Sequence, residues 1–290
     1  MRNLTLRFTK VTGAGNDFIL FDTLNHVVPF LGEEMIRTLC QRGLGVGADG
    51  ILILSLSQNA DFKVNYYNAD GSSGMLCANG ARCAVVYAKK FLDIRSSQIT
   101  FECCGEKYSA EVLKDNVVRF SLNKSPVTKT TTITIQDSEY NLFYANTGAE
   151  HVVLEYSEIK DLLHNFSDTQ FDSFNMNSFG KLIRNHPSFQ PDGVNVNVIE
   201  IENDNKIKIR SYEKGVENET LACGTGIIAA ALFLSEKHNY NSPIEIWSRS
   251  NRKFIVEYNK KDGEFNDVKL TGEAEIVYFG EIIPEDYSRK

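Results

Sequence analysis

The sequence has no surplus of positive charge and no long apolar run. Its 31 lysine and arginine residues are outnumbered by 38 aspartate and glutamate residues, giving a formal net charge of −7 at pH 7. A chain of this charge lacks the basic surface that holds a phosphate backbone, so we expect no nucleic-acid partner. The longest apolar run, residues 227–234, is too short to span a bilayer, so we expect no membrane partner.

Several other signals are also missing. Residues 1–8 alternate like a strand and lack the apolar core of a signal peptide, so we expect a cytoplasmic protein whose six cysteines stay reduced. There is no G-x-S-x-G, P-loop, H-E-x-x-H or paired C-x-x-C motif, and the spacing of Cys77 and Cys83 does not suit a zinc knuckle. The glycine-rich residues 43–50 follow a predicted helix and precede a predicted strand, the reverse of a dinucleotide-binding loop. No metal site is expected.

Two short stretches about half a chain apart repeat one pattern. Residues 75–80 read MLCANG and residues 221–226 read LACGTG, and an apolar helical pattern follows each. The likeness extends upstream, because residues 62–71 and 207–215 both read as a strand followed by a polar turn. The repeat predicts two equivalent lobes, each presenting one thiol at the start of a helix.

The boundary between the lobes is predicted at residues 123–126, which are polar, contain a proline and lie near the middle of the chain. We expect an N-terminal lobe of residues 1–125, carrying Cys77, and a C-terminal lobe of residues 126–275, carrying Cys223. Residues 276–290 are expected to return to the first lobe.

A thiol at a helix start has particular chemistry. The dipole and the terminal amides lower the pKa of such a thiol, and the same amides can hold a carboxylate. One thiolate and one thiol on opposite sides of a carbon could remove a proton from one face and return a proton to the other, which inverts the stereocentre. Amides directed at the carboxylate would stabilise the developing carbanion. The alternative is that both cysteines are buried structural residues, the usual role of a free cysteine; the duplicated context favours catalysis.

Two polar positions in the second half admit both structural and functional roles. His151 alone among the five histidines sits at a polar turn, residues 146–151, where it could act chemically or serve as a hydrogen-bonded structural residue. Residues 194–198 alternate as a strand, so Asn195 and Asn197 share one face. That face could bind a ligand or simply be the solvated side of a sheet.

Six motifs resemble those of the diaminopimelate epimerase family, in the same order and across nearly the whole chain. They are GAGNDF at 13–18, GVGADG at 45–50, NADGS at 68–72, CANGARC at 77–83, GVNV at 193–196 and ETLACGTG at 219–226. The resemblance implies a cofactor-independent enzyme that interconverts LL- and meso-diaminopimelate for lysine and cell-wall precursor synthesis. It also implies an α+β fold of two pseudo-symmetric lobes, each a mainly antiparallel β-sheet wrapped around a central α-helix, and a homodimer.

By motif, the resemblance makes Cys77 and Cys223 the acid/base pair, with His151 and Glu213 tuning the thiols. Tyr278 falls where the family has a tyrosine at the dimer contact. The positions implied to bind substrate are Asn16, Asn68, Ala78, Asn79, Asn195, Glu213, Lys214, Gly224 and Thr225.

Three positions depart from the family pattern. Ala78 replaces a usual glycine, Lys214 replaces an arginine, and residues 149–151 read AEH where Asn-Pro-His is frequent. Lysine keeps the charge but loses the bidentate fork of arginine. Because these positions hold substrate rather than transfer protons, the alternative is another amino-acid racemase that needs no pyridoxal phosphate. A thiol-redox or metal protein and a non-catalytic amino-acid-binding protein are further alternatives.

Overall fold

The computed structural model describes residues 5–73, 76–135, 137–163, 169–203 and 206–284. Met75 and residues 285–290, which the sequence analysis assigns to a motif and to a lobe, lie outside the described residues. Within the described ranges the chain forms seventeen strands and five α-helices. None of these helices has the length and apolar character needed to cross a membrane.

The strands are numbered along the chain. They are β1 (Leu6–Gly13), β2 (Asn16–Asp22), β3 (Gly50–Ser55), β4 (Phe62–Asn68), β5 (Gln98–Cys103), β6 (Glu106–Val112), β7 (Val117–Ser121), β8 (Val127–Ile135), β9 (Ser138–Asn146), β10 (Glu150–Glu155), β11 (Asn195–Asn203), β12 (Lys206–Glu213), β13 (Asn218–Thr220), β14 (Ile244–Trp247), β15 (Lys253–Lys261), β16 (Glu264–Glu273) and β17 (Glu275–Ile282).

The helices are fewer and shorter. They are α1 (Glu33–Cys40), α2 (Ala78–Phe91), α3 (Tyr156–Leu163), α4 (Met176–Arg184) and α5 (Gly224–His238). Among the described residues, contacts within the chain separate two compact units: residues 5–123 with 272–284, and residues within 124–271.

The first unit is built around helix α2. Residues 78–88 of this helix are all buried, and strands β1, β2, β3, β4, β6, β7 and β17 pack against it. Its small residues, such as Ala81, Ala84 and Ala88, let the surrounding strands approach closely. A helix covered on every side needs no polar face, which explains the run of alanine, valine and cysteine in its sequence.

The second unit is built around helix α5 in the same way. Residues 226–235 are buried, and strands β9, β10, β11, β12, β14 and β15 pack against the helix. Antiparallel pairs predominate in both units, and the parallel pairs are β2 with β3, β4 with β5, β10 with β11 and β12 with β14. The predicted α+β fold, with a mainly antiparallel sheet around a central helix, is confirmed.

Strands β13 and β16 and helix α3 were absent from the sequence prediction, β13 because it has only three residues. Strand β16 was missed because its apolar residues do not alternate regularly: Asp267 has φ +50°, and the pairing with β15 shifts register opposite it. Helix α3 was missed because it has only eight residues and follows β10 directly, so no capping residue announces it.

Candidate active site

Cys77 occupies the N-cap position of α2. Its backbone is extended, with φ −98° and ψ 111°, and its Sγ accepts a hydrogen bond from the N–H of Gly80 at 3.4 Å. Serine, threonine, aspartate or asparagine usually accepts this bond at a helix start. A cysteine in their place puts its sulfur against the amides of a 14-residue helix.

Cys223 occupies the same position on α5. Its backbone has nearly the same conformation, φ −109° and ψ 107°, and the residue is 6% exposed. In both helices the cysteine carbonyl accepts the first helical hydrogen bond, from Ala81 at 2.8 Å and from Ile227 at 2.9 Å. The repeated sequence therefore produces a repeated local structure.

Each helix start also offers backbone donors. Ala78 and Asn79 are the first helical residues of α2, and Gly224 and Thr225 are the first of α5. At any helix start the N–H groups point away from the helix body, and the dipole is positive there. Both helix starts are therefore suited to holding a carboxylate close to a thiol.

In the second unit, a chain of polar side chains leads from a buried histidine to Cys223. The Oγ1 atom of Thr225 lies 3.6 Å from the Sγ of Cys223 and 2.9 Å from the Nε2 of His151. His151 is fully buried on β10, and this burial lowers the pKa of its imidazole to about 3. The ring is therefore neutral at pH 7.

Asn197 determines which ring nitrogen of His151 carries the proton. Its Nδ2 donates to the backbone carbonyl of Val152 at 3.0 Å, and a carbonyl only accepts, so this contact fixes the orientation of the amide. The same Nδ2 lies 3.1 Å from the Nδ1 of His151, which must then be the acceptor. Nε2 consequently carries the hydrogen and donates it to Thr225. The hydroxyl of Thr225 accepts this bond and keeps its own hydrogen available for the sulfur of Cys223, 3.6 Å away.

Gly226 makes room for this arrangement. A Cβ atom built on Gly226 would lie 2.3 Å from the Oδ1 of Asn197, far inside contact distance. The same Oδ1 accepts a hydrogen bond from the hydroxyl of Ser211 at 2.8 Å. The final glycine of LACGTG is therefore required by packing against the amide that orients His151.

The first unit surrounds its cysteine with different groups. At the position of Thr225 it has Asn79, whose Nδ2 donates to the Oδ1 of Asn16 at 2.6 Å. Asn16 in turn donates to the carboxylate of Asp49 at 3.1 Å. An amide chain thus replaces the hydroxyl and imidazole of the second unit.

Arg82 is the last member of this series of hydrogen-bonded side chains. It is fully buried, its Nη2 donates to the Oδ1 of Asn79 at 2.7 Å, and its Nη1 donates to the carbonyl of Ala78 at 3.2 Å. Burial lowers the pKa of the guanidinium to about 10, so it remains charged at neutral pH. The two thiols thus have unequal neighbours, a buried cation in one unit and a neutral imidazole in the other.

Comparison with known proteins shows the family to which the chain belongs. A sequence profile described as diaminopimelate epimerase matches residues 8–128 and 143–277. The chain belongs to the diaminopimelate epimerase family. It is 35% identical over 275 residues to diaminopimelate epimerase of Chlorobaculum tepidum, covering 94% of this chain and 99% of that protein. The corresponding protein of Flavobacterium psychrophilum is 33% identical over 273 residues, covering 94% and 98%. The predicted family resemblance is confirmed.

Solved structures support the fold. A probable proline racemase from Agrobacterium radiobacter superposes with a TM-score of 0.68 at 14% identity, covering 96% of this chain and 92% of that one. A phenazine biosynthesis protein of the PhzF family from Bacillus anthracis gives a TM-score of 0.68 at 13% identity, covering 96% and 99%. At such low identities these likenesses establish the fold that the diaminopimelate epimerase family shares with other proteins.

The positions that the family resemblance predicts to bind substrate lie in both units. In the second unit, Asn195 donates to the carbonyl of Glu150 at 2.9 Å and accepts from the backbone N–H of Lys214 at 2.9 Å. It therefore ties the turn before His151 to the end of β12. The Lys214 side chain is exposed, and Glu213 accepts a hydrogen bond from the hydroxyl of Thr220.

Two further positions assigned through the diaminopimelate epimerase family belong to other contacts of the first unit. The Nδ2 of Asn68 donates to the hydroxyl of Ser72 at 3.0 Å, at the end of β4. Tyr278 lies on β17, where it is 45% exposed and its ring meets that of Phe8 edge-on at 6.0 Å. The hydrogen bonds described above group His151 and Thr225 with Cys223 in one unit, and Asn16 with Asn79 in the other.

Sequence reasoning did not assign Asn197 or Asp49 to the site. Asn197 had one available signal, the alternation that places it on the same face of β11 as Asn195. Asp49 lies in the glycine-rich GVGADG motif, whose pattern indicates a backbone turn and no particular side-chain partner. Its carboxylate accepts from the side chain of Asn16 and from the N–H of Asp17, both at 3.1 Å.

Proposed function

We propose that this protein is an isomerase that epimerises LL-diaminopimelate to meso-diaminopimelate without a cofactor, using two cysteines as acid and base. The observation that carries the proposal is the near full-length match to diaminopimelate epimerases, which spans both cysteine motifs of this chain. The placement of each cysteine at a helix start supplies the chemistry. The product serves lysine and cell-wall precursor synthesis.

The reaction needs two proton transfers at one carbon. One cysteine, as thiolate, takes the α-proton from one face and becomes a thiol, leaving a carbanion. The other cysteine, as thiol, gives its proton to the opposite face and becomes a thiolate. Charge and protons balance, and in the reverse direction Cys77 and Cys223 exchange roles. The mechanism requires both sulfurs to reach the same α-carbon.

The carbanion needs stabilisation because an α-proton of an amino acid is weakly acidic. Donors aimed at the α-carboxylate stabilise the charge that spreads onto it as the proton leaves. The N–H groups of Ala78 and Asn79 on α2, and of Gly224 and Thr225 on α5, are the donors that we assign to this task. A glycine is not required at position 78, because alanine supplies the same backbone N–H.

His151 tunes Cys223 through Thr225. Its neutral ring donates from Nε2 to the threonine oxygen, so the hydroxyl donates to sulfur and favours the thiolate. In this assignment His151 is a positioning residue and accepts no proton during turnover. Glu213 is assigned to tuning the thiols as well, and the hydroxyl of Thr220 donates a hydrogen bond to its carboxylate.

Asn16, Asn68, Asn195, Glu213 and Lys214 are assigned to the rest of the substrate. An amino acid with a second carboxylate needs a cation at its far end, and the exposed Lys214 supplies one. Because lysine lacks the bidentate fork of arginine, we expect Lys214→Arg to lower KM for LL-diaminopimelate severalfold with kcat little changed. An unchanged KM, with faster racemisation of an amino acid that has one carboxylate, would favour the other cofactor-independent racemases.

The two-cysteine assignment is tested with Cys77→Ala and Cys223→Ala. Each variant should lose epimerisation while its circular dichroism spectrum and unfolding midpoint stay close to those of the parent. Cys40→Ala is the control, since Cys40 is a buried residue of the first unit outside both motifs. Near-normal turnover by either motif variant would reject the mechanism.

We further propose a homodimer that works in the cytoplasm. Three consecutive residues of β17 are exposed apolar side chains: Val277 at 55%, Tyr278 at 45% and Phe279 at 62%. Neighbouring strand residues point to opposite faces, so among the described residues both faces of this segment keep exposed apolar surface. Tyr278→Glu should lower the mass measured by light scattering from two chains to one. A reducing compartment suits an activity that needs two free thiols.

A further inference from the structure

The hairpin between β5 and β6 carries two adjacent cysteines whose sulfur atoms are in contact. The Sγ atoms of Cys103 and Cys104 lie 3.5 Å apart. Cys103 is the last residue of β5 and pairs with Glu106, so Cys104 and Gly105 alone form the turn. Cys103 is 1% exposed, whereas Cys104 is exposed. One thiol therefore faces solvent, and the other lies directly beside it in the core.

The backbone of the turn holds the two thiols in this position. Cys104 has φ +53° and Gly105 has φ +79°, and two positive φ angles in succession define a type I′ turn. Asparagine, aspartate or glycine is usual at the first of these positions, where cysteine is not a favoured residue. A Cβ built on Gly105 meets nothing within 4 Å, so the tip of the hairpin is open to a reagent.

The base of the hairpin is anchored by aromatic rings. Phe101 on β5 stacks on Tyr108 of β6 with centroids 5.5 Å apart, and Tyr108 lies 5.8 Å from Phe120 of β7. These three side chains belong to the buried cluster that also contains Cys103. The anchored strands fix the register of the hairpin and hence the separation of the sulfurs.

A direct disulfide between the two cysteines is unfavourable. Consecutive Cα atoms are about 3.8 Å apart, below the roughly 4.4 Å at which the usual range for disulfides begins. A single atom inserted between the sulfurs bridges the existing gap without that closure. Paired thiolates prefer soft, thiophilic elements for such a bridge.

We propose that Cys103 and Cys104 form a dithiol site that chelates one trivalent arsenical through both sulfurs. In the reaction an organoarsenic dihydroxide exchanges its two As–O bonds for two As–S bonds, and the two thiol protons leave with the oxygens as two water molecules. Arsenic stays trivalent, so no oxidant or reductant is needed. Cys104 forms the first bond because it is exposed, and Cys103 closes the ring on the arsenic then held beside it. Burial, Cys104 and Cys77 raise the pKa of Cys103, which makes its step the slower one.

The test uses the full chain with Cys77→Ala and Cys223→Ala, so that the proposed acid/base thiols hold no reagent. The protein is treated with phenylarsine oxide, washed with excess glutathione and weighed by intact mass spectrometry. We expect one phenylarsine per chain to survive the monothiol wash and to be removed by 2,3-dimercaptopropanol, because a monothiol has to exchange two As–S bonds. Absence of the adduct, or its removal by glutathione, would overturn the proposal.

Further substitutions in the same background locate the site. Cys104→Asn creates Asn-Gly, a favoured pair for a type I′ turn, so this variant should fold at least as well as its parent and lose the retained adduct completely. Cys103→Ala should lose it as well. Cys40→Ala should keep it, because Cys40 is buried on α1. An adduct that persists in Cys104→Asn would place the arsenical elsewhere and reject the site.

Discussion

The Nε2 atom of His151 lies 2.9 Å from the hydroxyl oxygen of Thr225, and burial lowers the pKa of that imidazole to about 3. A neutral ring whose Nδ1 accepts from an amide carries its hydrogen on Nε2. Asn197 therefore donates to His151 and His151 donates to Thr225, whose hydroxyl oxygen lies 3.6 Å from the sulfur of Cys223. The hydrogen bond from His151 leaves the hydroxyl hydrogen of Thr225 available for the sulfur of Cys223.

The hydroxyl of Thr225 is expected to stabilise the thiolate of Cys223. Thr225→Val keeps the shape of the side chain and removes the hydroxyl, whereas Thr225→Ser keeps the hydroxyl. Because a hydrogen bond to a charged group contributes about 1.5–3 kcal/mol, we expect Thr225→Val to lower kcat on the order of ten- to a hundredfold and to raise the pKa of Cys223. Steady-state kinetics and the pH dependence of alkylation of Cys223 measure the two effects.

Thr225→Ser is the matched control and should retain most of the turnover. If Thr225→Val alkylates with the same pH dependence as the parent, the hydroxyl does not act on the sulfur. The N–H of residue 225 is present in both variants, so loss of a carboxylate donor does not explain a difference between them.

The burial of neutral His151 should make stability depend on pH. Its ordinary pKa of 6.5 applies in the unfolded chain and falls to about 3 on folding. The contribution is therefore complete above pH 6.5 and is lost as pH falls from 6.5 towards 3, because only the unfolded chain binds the proton there. Between pH 7 and pH 5 we expect the free energy of unfolding to fall by about 2 kcal/mol from this residue.

Urea unfolding of the parent and of His151→Gln at pH 7 and pH 5 isolates the pH-dependent contribution of His151 to the free energy of unfolding. Other groups titrate equally in the two proteins, so the parent should lose more stability between pH 7 and pH 5 than the variant does. Equal losses would show that the histidine is solvated or charged in the folded protein.

The glycines that end the two cysteine motifs should respond unequally to one added methyl group. Gly226→Ala places a Cβ 2.3 Å from the Oδ1 of Asn197, whereas Gly80→Ala meets the end of the Leu52 side chain at 3.1 Å. Leucine can yield slightly, but the amide is held by Ser211 and Val152. We expect Gly226→Ala to lower the free energy of unfolding by about 1–3 kcal/mol and to reduce kcat at least tenfold. Gly80→Ala should lower both the free energy of unfolding and kcat by less than Gly226→Ala does. Larger losses for Gly80→Ala would contradict the packing described here.

The sequence predicted the two helix starts because they rest on a repeated pattern, and it predicted the family and the fold class through six motifs that resemble those of diaminopimelate epimerases. Cysteine, small residues and an apolar helix recur half a chain apart, and a helix apolar on every side has to be surrounded by other elements. The environment of each thiol was not predictable in the same way. Asn197 contacts His151 on the neighbouring strand, and Arg82 contacts Asn79 one turn away in the same helix. The spacing of residues in the sequence encodes neither these distances nor the tautomer of His151.

Irregular elements were also beyond pattern reasoning. The positive φ of Asp267 interrupts β16. Cys104 is exposed beside Cys103 because it occupies a type I′ turn, in which cysteine is not a favoured residue. In both cases tertiary pairing of the neighbouring strand overrides local preference.

The measurement that tests the central claim most directly is proton NMR of LL-diaminopimelate with the reduced protein in heavy water. The two-thiol account predicts that the α-proton signal of one stereocentre disappears while the meso isomer appears with deuterium at that carbon. Each cysteine variant should abolish formation of the epimer. A folded protein with all thiols reduced that neither exchanges the α-proton nor forms the meso isomer would contradict the account.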